Sequence, residues 1–347
     1  MNAPQNLSPA LDAPPEQELG LGSSQLDRAR RLCVAPMMDW TTRHCRYFHR
    51  LLAPNAMLYT EMVTAAAVIH GKRDRLLGFD AFEHPVALQL GGSDPDALAQ
   101  AAAIGQAMGY DEINLNCGCP SDRVQKGAFG ACLMREPELV ADCIQAMRES
   151  VSVPVTVKHR IGVDDQTDYR FLFRFVEALY SRGCTVFIVH ARAALLKGLS
   201  PKENREIPPL HYDRLKLLKR DFPNACFILN GGLTDSSALQ WLNTLPADGL
   251  MLGRAAYHNP WLLRDLDEQL FADDARRLAL REEVIAPLQR YFERGLEGGV
   301  PPTVMTRHWH GLFHGQPGAV AWRRAMAEGH GPATVLAKNS GTLKSSF

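Results

Sequence analysis

No C-x-x-C pair occurs among the eight cysteines of this 347-residue chain, and their scatter shows no paired spacing of the kind that holds tetrahedral zinc. A metal centre is therefore not expected. The first residues lack the basic, then apolar, then small-residue order of a secretory signal, and no apolar run approaches the ~18 residues of a membrane span. These absences point to a cytoplasmic protein without a membrane partner, whose thiols stay reduced. Net charge is also missing: 38 basic side chains balance 38 acidic ones, so a polyanion must be met by one local face rather than by the whole surface. Finally, no G-x-G-x-x-G turn follows the first apolar run, which argues against an open doubly wound dinucleotide fold.

What the chain does have is a repeated alternation. Residues 1–30 are rich in Pro, Gln, Ser and Gly without a hydrophobic period and read as a flexible tail. Eight short apolar runs follow: Leu32–Met37, Leu58–Val63, Val86–Leu90, Glu112–Asn116, Val153–His159, Thr185–His190, Cys226–Asn230 and Gly249–Gly253. The intervening segments are helical in pattern. Asp94 and Pro95 form a cap and a first-turn proline for the stretch ending at Gly109, and Pro137 opens another helix through Val140, Ile144 and Met147. The runs are apolar throughout rather than alternating, as parallel strands covered on both faces require. Eight such units predict an α/β fold, a (β/α)8 TIM barrel over 31–262. The rest contains no strand pattern and predicts a small all-helical C-terminal domain over 263–335, with a last helical stretch from Arg307 to Met326 and a C-terminal tail over 336–347.

A barrel of this kind builds its active site from the loops after the strands, and polar or glycine-rich groups stand at nearly every strand end here. Pro36, Met37 and Met38 follow the first run, Gln89 ends the third, and Lys158 ends the fifth. His190 closes the sixth; Asn230, Gly231 and Gly232 follow the seventh, and Gly253 and Arg254 the eighth. The last two ends are where barrels commonly hold a phosphate, with Arg254 able to fork onto the anion. Lys158, at the end of Val153–Val157, is desolvated and needs an anionic partner or a lowered pKa. Two roles fit it: holding the N1/O2 edge of a reduced flavin, or forming a Schiff base as in barrel aldolases. The Asn114–Pro120 stretch sets two thiols just past a strand end. Cys119 is placed by glycine and proline as a general acid, since a thiol with a reference pKa near ~8.5 keeps its proton at neutral pH. Cys117 points the other way and reads as a core residue.

Together these stretches resemble the tRNA-dihydrouridine synthases, in particular the A-type bacterial branch. The resemblance runs through Ala35–Thr41, Tyr59–Met62, Leu88–Gly92, Asn114–Arg123, Val157-Lys158, His190–Arg192, Leu199–Pro209, Asn230–Gly232 and Gly253-Arg254. It continues into the helical part at Thr306–His308, Gly311–Phe313 and Trp322–Arg324. It implies an FMN-bound barrel that uses NADPH to reduce the C5–C6 bond of uridines at positions 20 and 20a of the tRNA D-loop. It further implies that Pro36, Met37, Met38, Gln89, Lys158, His190, Asn230, Gly231, Gly232, Gly253 and Arg254 contact FMN, with Cys119 as proton donor to C5. Asn116 would touch the target nucleotide, and Lys202 and Arg205 would select the uridine. Arg307, Arg323 and Arg324, with Lys338 and Lys344, form a basic face for tRNA against Glu328 alone. A monomer is expected. The sequence departs from the family's usual pattern at Cys117, where an aliphatic or aromatic residue is common, and at His159. The rival readings are a flavin barrel reductase of a small molecule, dihydroorotate-type or ene reductase, a lysine aldolase, and a catalytically silent tRNA-binding module.

Overall fold

The computed structural model describes residues 22–339, apart from 122, 123, 125, 126, 273–275 and 277. Eight parallel strands pair in sequence order and close on themselves. They are β1 (Leu32–Val34), β2 (Met57–Thr64), β3 (Val86–Gly91), β4 (Glu112–Cys117), β5 (Val155–Arg160), β6 (Val186–His190), β7 (Cys226–Asn230) and β8 (Gly249–Leu252). The expected barrel is present.

Period-two alternation divides each strand between two environments. Outward-facing residues such as Leu88, Ile113, Leu115, Val157, Val189 and Leu229 join one large apolar layer beneath the surrounding helices. Inward-facing Cys33, Met57, Tyr59, Ala87, Ile188, Ile228 and Met251 form a smaller cluster inside. The cap and proline signals act as expected: Asp94 accepts from Ala97 N–H at 2.7 Å and the helix Pro95–Ala107 begins there. Gly109, at φ 94°, ends the segment in the left-handed region that glycine adopts without strain.

The tail expected over 1–30 ends earlier than its composition suggests. Its last part is the helix Ser23–Ala29, whose Leu26 and Ala29 join the inward-facing cluster and close the barrel's floor. Two apolar residues in seven carry too little period to be seen, but a barrel floor needs only those two. Residues 1–21 and 340–347, including Lys344, lie outside the described residues, as do Arg123 and the side chain of Lys338.

After β8 the helix Trp261–Leu270 packs Leu262, Leu263 and Leu266 into the barrel's outer layer. Helices Ile285–Glu297, Pro302–Thr306, Ala319–Ala327 and Pro332–Asn339 complete the chain. The helix expected from Arg307 to Met326 is broken: residues 307–318 run in successive turns, with Gly315 at φ 71° and Gly318 at φ 81°. Glycines that adopt positive φ cannot continue a right-handed helix.

The helix Arg43–Leu52, which follows β1, belongs to both parts of the molecule. Its Tyr47, Phe48, Leu51 and Leu52 share one apolar cluster with Leu288, Tyr291, Phe292, Trp309, Phe313 and Trp322. Polar contacts lock the junction: Thr42 Oγ1 meets His308 Nε2 at 2.9 Å, and His44 Nδ1 meets the Tyr291 hydroxyl at 2.6 Å. Burial beside Arg43 and Arg46 pushes His44 down to about 4, so it is neutral at pH 7.

Candidate active site

Strand register brings the sequence-marked residues to one rim. Asn116 pairs with Lys158, and His190 pairs with Asn230. The Lys158 ammonium donates to Asn230 Oδ1 at 3.0 Å, and Asn230 Nδ2 donates to the Met251 carbonyl at 2.7 Å. Burial, with Arg160 and Arg205 close by, lowers Lys158 to about 7. The desolvation expected from the sequence is therefore met by a lowered pKa; among the described residues no carboxylate bonds to this lysine. His190 is driven well below its ordinary value by burial and by Arg160, Lys158, Arg192 and Arg205, and is neutral.

The glycine pair after β7 is shaped for close approach. Gly231 and Gly232 have φ of 107° and 71°. A Cβ on Gly231 would lie 2.7 Å from His190 Cδ2, and one on Gly232 would lie 2.5 Å from Leu210 Cδ1. Tyr212 fixes the turn by donating to the Gly231 carbonyl at 2.6 Å. Gly253 differs, since a Cβ there would find nothing nearer than Ala35 Cβ at 4.0 Å. That open space adjoins the loop after β1. In that loop Met37 N–H donates to Thr41 Oγ1 at 2.9 Å, and Met38 is 57% exposed. Asp39, at φ 63°, donates its N–H to Glu61 Oε1 at 2.6 Å, which holds the turn carrying Pro36, Met37 and Met38.

Cys119 stands past the end of β4, partly accessible, in the neighbourhood of Lys158, Arg160 and Arg205. Cys117 is fully buried in the outer apolar layer. Two positions along the loop thus separate an inert thiol from a presented one. His159 also faces outward, packed against Phe175 and Phe187, so its bulk does not enter the mouth. Asn116 accepts from Gly118 N–H at 3.1 Å and Cys119 N–H at 3.0 Å, and donates from Nδ2 to Gln89 Oε1 at 2.8 Å. Its amide shapes the cysteine's turn.

Arg160 closes the polar strand-end stretch Lys158-His159-Arg160, in which the sequence marked a role for the lysine alone. Two positions after Lys158 on the same strand, it lies on the same inner side, 2% exposed. Its guanidinium donates to the carbonyls of Gly118, Ala193 and Asn204 at 3.1, 3.2 and 2.8 Å, joining the loops after β4 and β6. Burial and neighbouring cations lower it to about 9. Period two from Lys158 was the available signal.

The remaining candidates are spread outward from this rim. Lys202 and Arg205 are exposed on the loop after β6, and Arg254 pairs with Glu206 of that loop. Arg307 lies at the junction, near enough to Glu61 to lower that carboxyl, although burial keeps Glu61 raised overall. Arg323 and Arg324 stand exposed on the helix Ala319–Ala327, where Arg324 Nε bonds Glu328 at 3.0 Å.

One rim thus gathers a partly accessible thiol, a buried lysine bonded to an amide, and open space beside Gly253. The family model described as Dihydrouridine synthase (Dus) matches residues 33–346. The chain belongs to the dihydrouridine synthase family. Curated relatives agree over nearly its full length. The tRNA-dihydrouridine(20/20a) synthase of Xanthomonas campestris pv. campestris is 58% identical over 299 residues, 86% of this chain and 88% of the relative. Proteins of the same name from Vibrio cholerae serotype O1 and Escherichia coli strain K12 are 54% and 55% identical. Those alignments cover 88% and 86% of this chain and 93% and 86% of the relatives. Dihydrouridine synthases are flavin-dependent oxidoreductases, which disfavours the aldolase and the silent-module readings. Among the described residues, no helix of this family member is long and apolar enough to cross a membrane.

Proposed function

We propose that this chain reduces the C5–C6 bond of uridines at positions 20 and 20a of tRNA to 5,6-dihydrouridine, using NADPH, as a cytoplasmic monomer. The observation that carries this reading is the meeting of Lys158, Asn230, His190 and the Cys119 turn at one barrel rim. The residues fit FMN. Lys158 offers further N–H directions beyond its bond to Asn230 to the acceptor-rich N1/O2 edge, and the absence of a side chain at Gly253 leaves room for the cofactor. Pro36, Met37, Met38 and Gln89 would line the ring, while Gly231, Gly232, Gly253, Arg254 and neutral His190 would surround the remainder and its phosphate.

When bound, FMN supplies hydride to C6 of the uracil. The chain's own part is to place the base and complete the addition. Cys119 would hold a proton at Sγ and deliver it to C5, the resulting thiolate being reprotonated from solvent before the next turnover. Asn116, between Gln89 and the cysteine turn, presents its amide to the target nucleotide. Lys202 and Arg205 stand on the loop after β6 where they would select the uridine. The helical segment 263–335, with Arg307, Arg323 and Arg324, is assigned to tRNA phosphates, whose neutralisation offsets the few kcal/mol needed to extrude a stacked base.

The experiment is anaerobic. Flavoprotein reduced with NADPH and mixed with tRNA lacking dihydrouridine is expected to reoxidise within seconds, with dihydrouridine appearing at positions 20 and 20a. Reoxidation by a free pyrimidine or an enone, with indifference to tRNA, would instead favour the small-molecule reductase.

A further inference from the structure

The barrel interior holds a chain of hydrogen bonds that the proposed chemistry does not itself require, and all of its donors point the same way. At the rim, Cys119 N–H and Gly118 N–H donate to Asn116 Oδ1. Asn116 Nδ2 donates to Gln89 Oε1 at 2.8 Å, Gln89 Nε2 to Asn114 Oδ1 at 2.7 Å, and Asn114 Nδ2 to Thr156 Oγ1 at 2.9 Å. Thr156 Oγ1 donates to Glu112 Oε1 at 2.7 Å, where the Tyr59 hydroxyl also donates at 2.8 Å. Glu112 Oε2 accepts from Arg30 Nε and Nη2 at 3.0 and 2.8 Å, next to the floor helix. Glu112, Asn114 and Thr156 are wholly buried, and Gln89 is 1% exposed.

The sense of this chain is pinned at both ends, by a carboxylate that only accepts at the floor and by two backbone N–H groups that only donate at the rim. An ionised carboxylate only accepts, whereas each hydroxyl or amide above it both donates and accepts and is satisfied in either orientation. With Glu112 accepting, Thr156 must donate downward and therefore accepts from Asn114. Asn114 then turns its oxygen to Gln89, Gln89 turns its oxygen to Asn116, and Asn116 is left with its oxygen toward the two loop N–H groups. Reversal at a lower link sets donor against donor or acceptor against acceptor there, and if relayed upward it turns the Asn116 NH2 against the Cys119 N–H and loosens the turn.

We propose that Glu112, on the barrel floor, is a positioning residue for uridine reduction: through Thr156, Asn114 and Gln89 it fixes the Asn116 amide orientation that holds the Cys119 thiol in place. This rests on the function proposed above. It differs from a purely structural role because cutting the chain anywhere below Asn116 has the same consequence at the thiol, whatever it does to stability.

Thr156→Val removes the linking hydroxyl at nearly constant volume, Asn114→Leu cuts one link higher, and Thr156→Ser keeps the hydroxyl. All retain Glu112 and Arg30. Three readouts apply to each flavin-loaded variant: flavin reduction by NADPH, reoxidation by saturating tRNA in a single turnover, and the rate at which iodoacetamide labels Cys119, followed by peptide mass spectrometry. The expected pattern for Thr156→Val and Asn114→Leu is unchanged flavin reduction, reoxidation slowed ~10–100-fold at saturating tRNA, and several-fold faster labelling of Cys119. Thr156→Ser stays near the parent in all three. Parent-like reoxidation and labelling in whichever of the two cut variants folds overturns the proposal, and so does equal loss in Thr156→Ser. If the parent protein itself is not reoxidised by tRNA, the functional reading fails instead, and the labelling comparison still decides whether the chain positions the thiol.

Discussion

Lys158 Nζ lies 3.0 Å from Asn230 Oδ1, a buried ammonium bonded to a neutral amide. Its pKa is lowered to about 7, against the ordinary 10.5 that it regains in the unfolded chain. Between these values the unfolded state binds more protons than the folded one, so the stability of the flavin-free protein rises as pH increases from 7 to 10.5. Lys158→Met is expected to flatten that rise and to loosen flavin. Melting temperatures of both flavin-free proteins across this range check it; parallel curves would mean the lysine is not desolvated.

The two thiols near the end of β4 separate cleanly. Cys119→Ala is expected to slow uridine reduction by ~10²–10⁴-fold, the usual span for a lost general acid, while NADPH still reduces the flavin. Cys117→Ala is expected to keep turnover and to lose about 1 kcal/mol of stability through a small cavity in the outer layer. Normal turnover in Cys119→Ala would transfer the proton-donor role elsewhere.

Gly231 combines a φ of 107° with no room for a Cβ beside His190. Gly231→Ala is expected to cost about 1–3 kcal/mol in backbone strain, to displace the imidazole, and to yield protein purified largely without flavin. The ratio of flavin to protein absorbance reads this directly. Gly253→Ala meets open space in the structure, so a loss of flavin there would report the bound cofactor rather than the protein's own packing.

Arg307, Arg323 and Arg324 are exposed cations on the helical segment. Replacing each by Ala is expected to weaken tRNA binding without altering flavin content, and to reduce the slope of log K against log salt by about 0.7–0.9 per lost phosphate contact. Arg324, already bonded to Glu328, is expected to matter least. A salt slope unchanged in the triple variant would remove this face from the RNA interface.

The barrel was legible because eight short apolar runs alternate with capped helical segments, and the Val153–Val157 run ending in Lys158 announced a strand that the structure contains. The contrast between Cys117 and Cys119 follows from where the strand stops, since Cys117 is its last residue and Cys119 lies in the Gly- and Pro-containing turn beyond it. Arg160 was marked at the same strand end as Lys158 but without a role, because spacing does not show which loop carbonyls a guanidinium reaches. The series from Glu112 to Asn116 was hidden for another reason: sequence spacing gives the face a side chain occupies, but not which neighbour across the barrel accepts its proton. The floor helix Ser23–Ala29 was lost in a polar tail, because two contacts suffice to place it.

The helix Arg43–Leu52 contributes one side to the barrel and four large residues to the core of the helical segment. Such sharing ties the barrel rim and the surface proposed for RNA to one helix. Any deformation needed to bring a stacked uridine to Cys119 then falls on the nucleic acid, so a tRNA whose elbow is loosened in advance should be the faster substrate, while stiffening the protein further should change little.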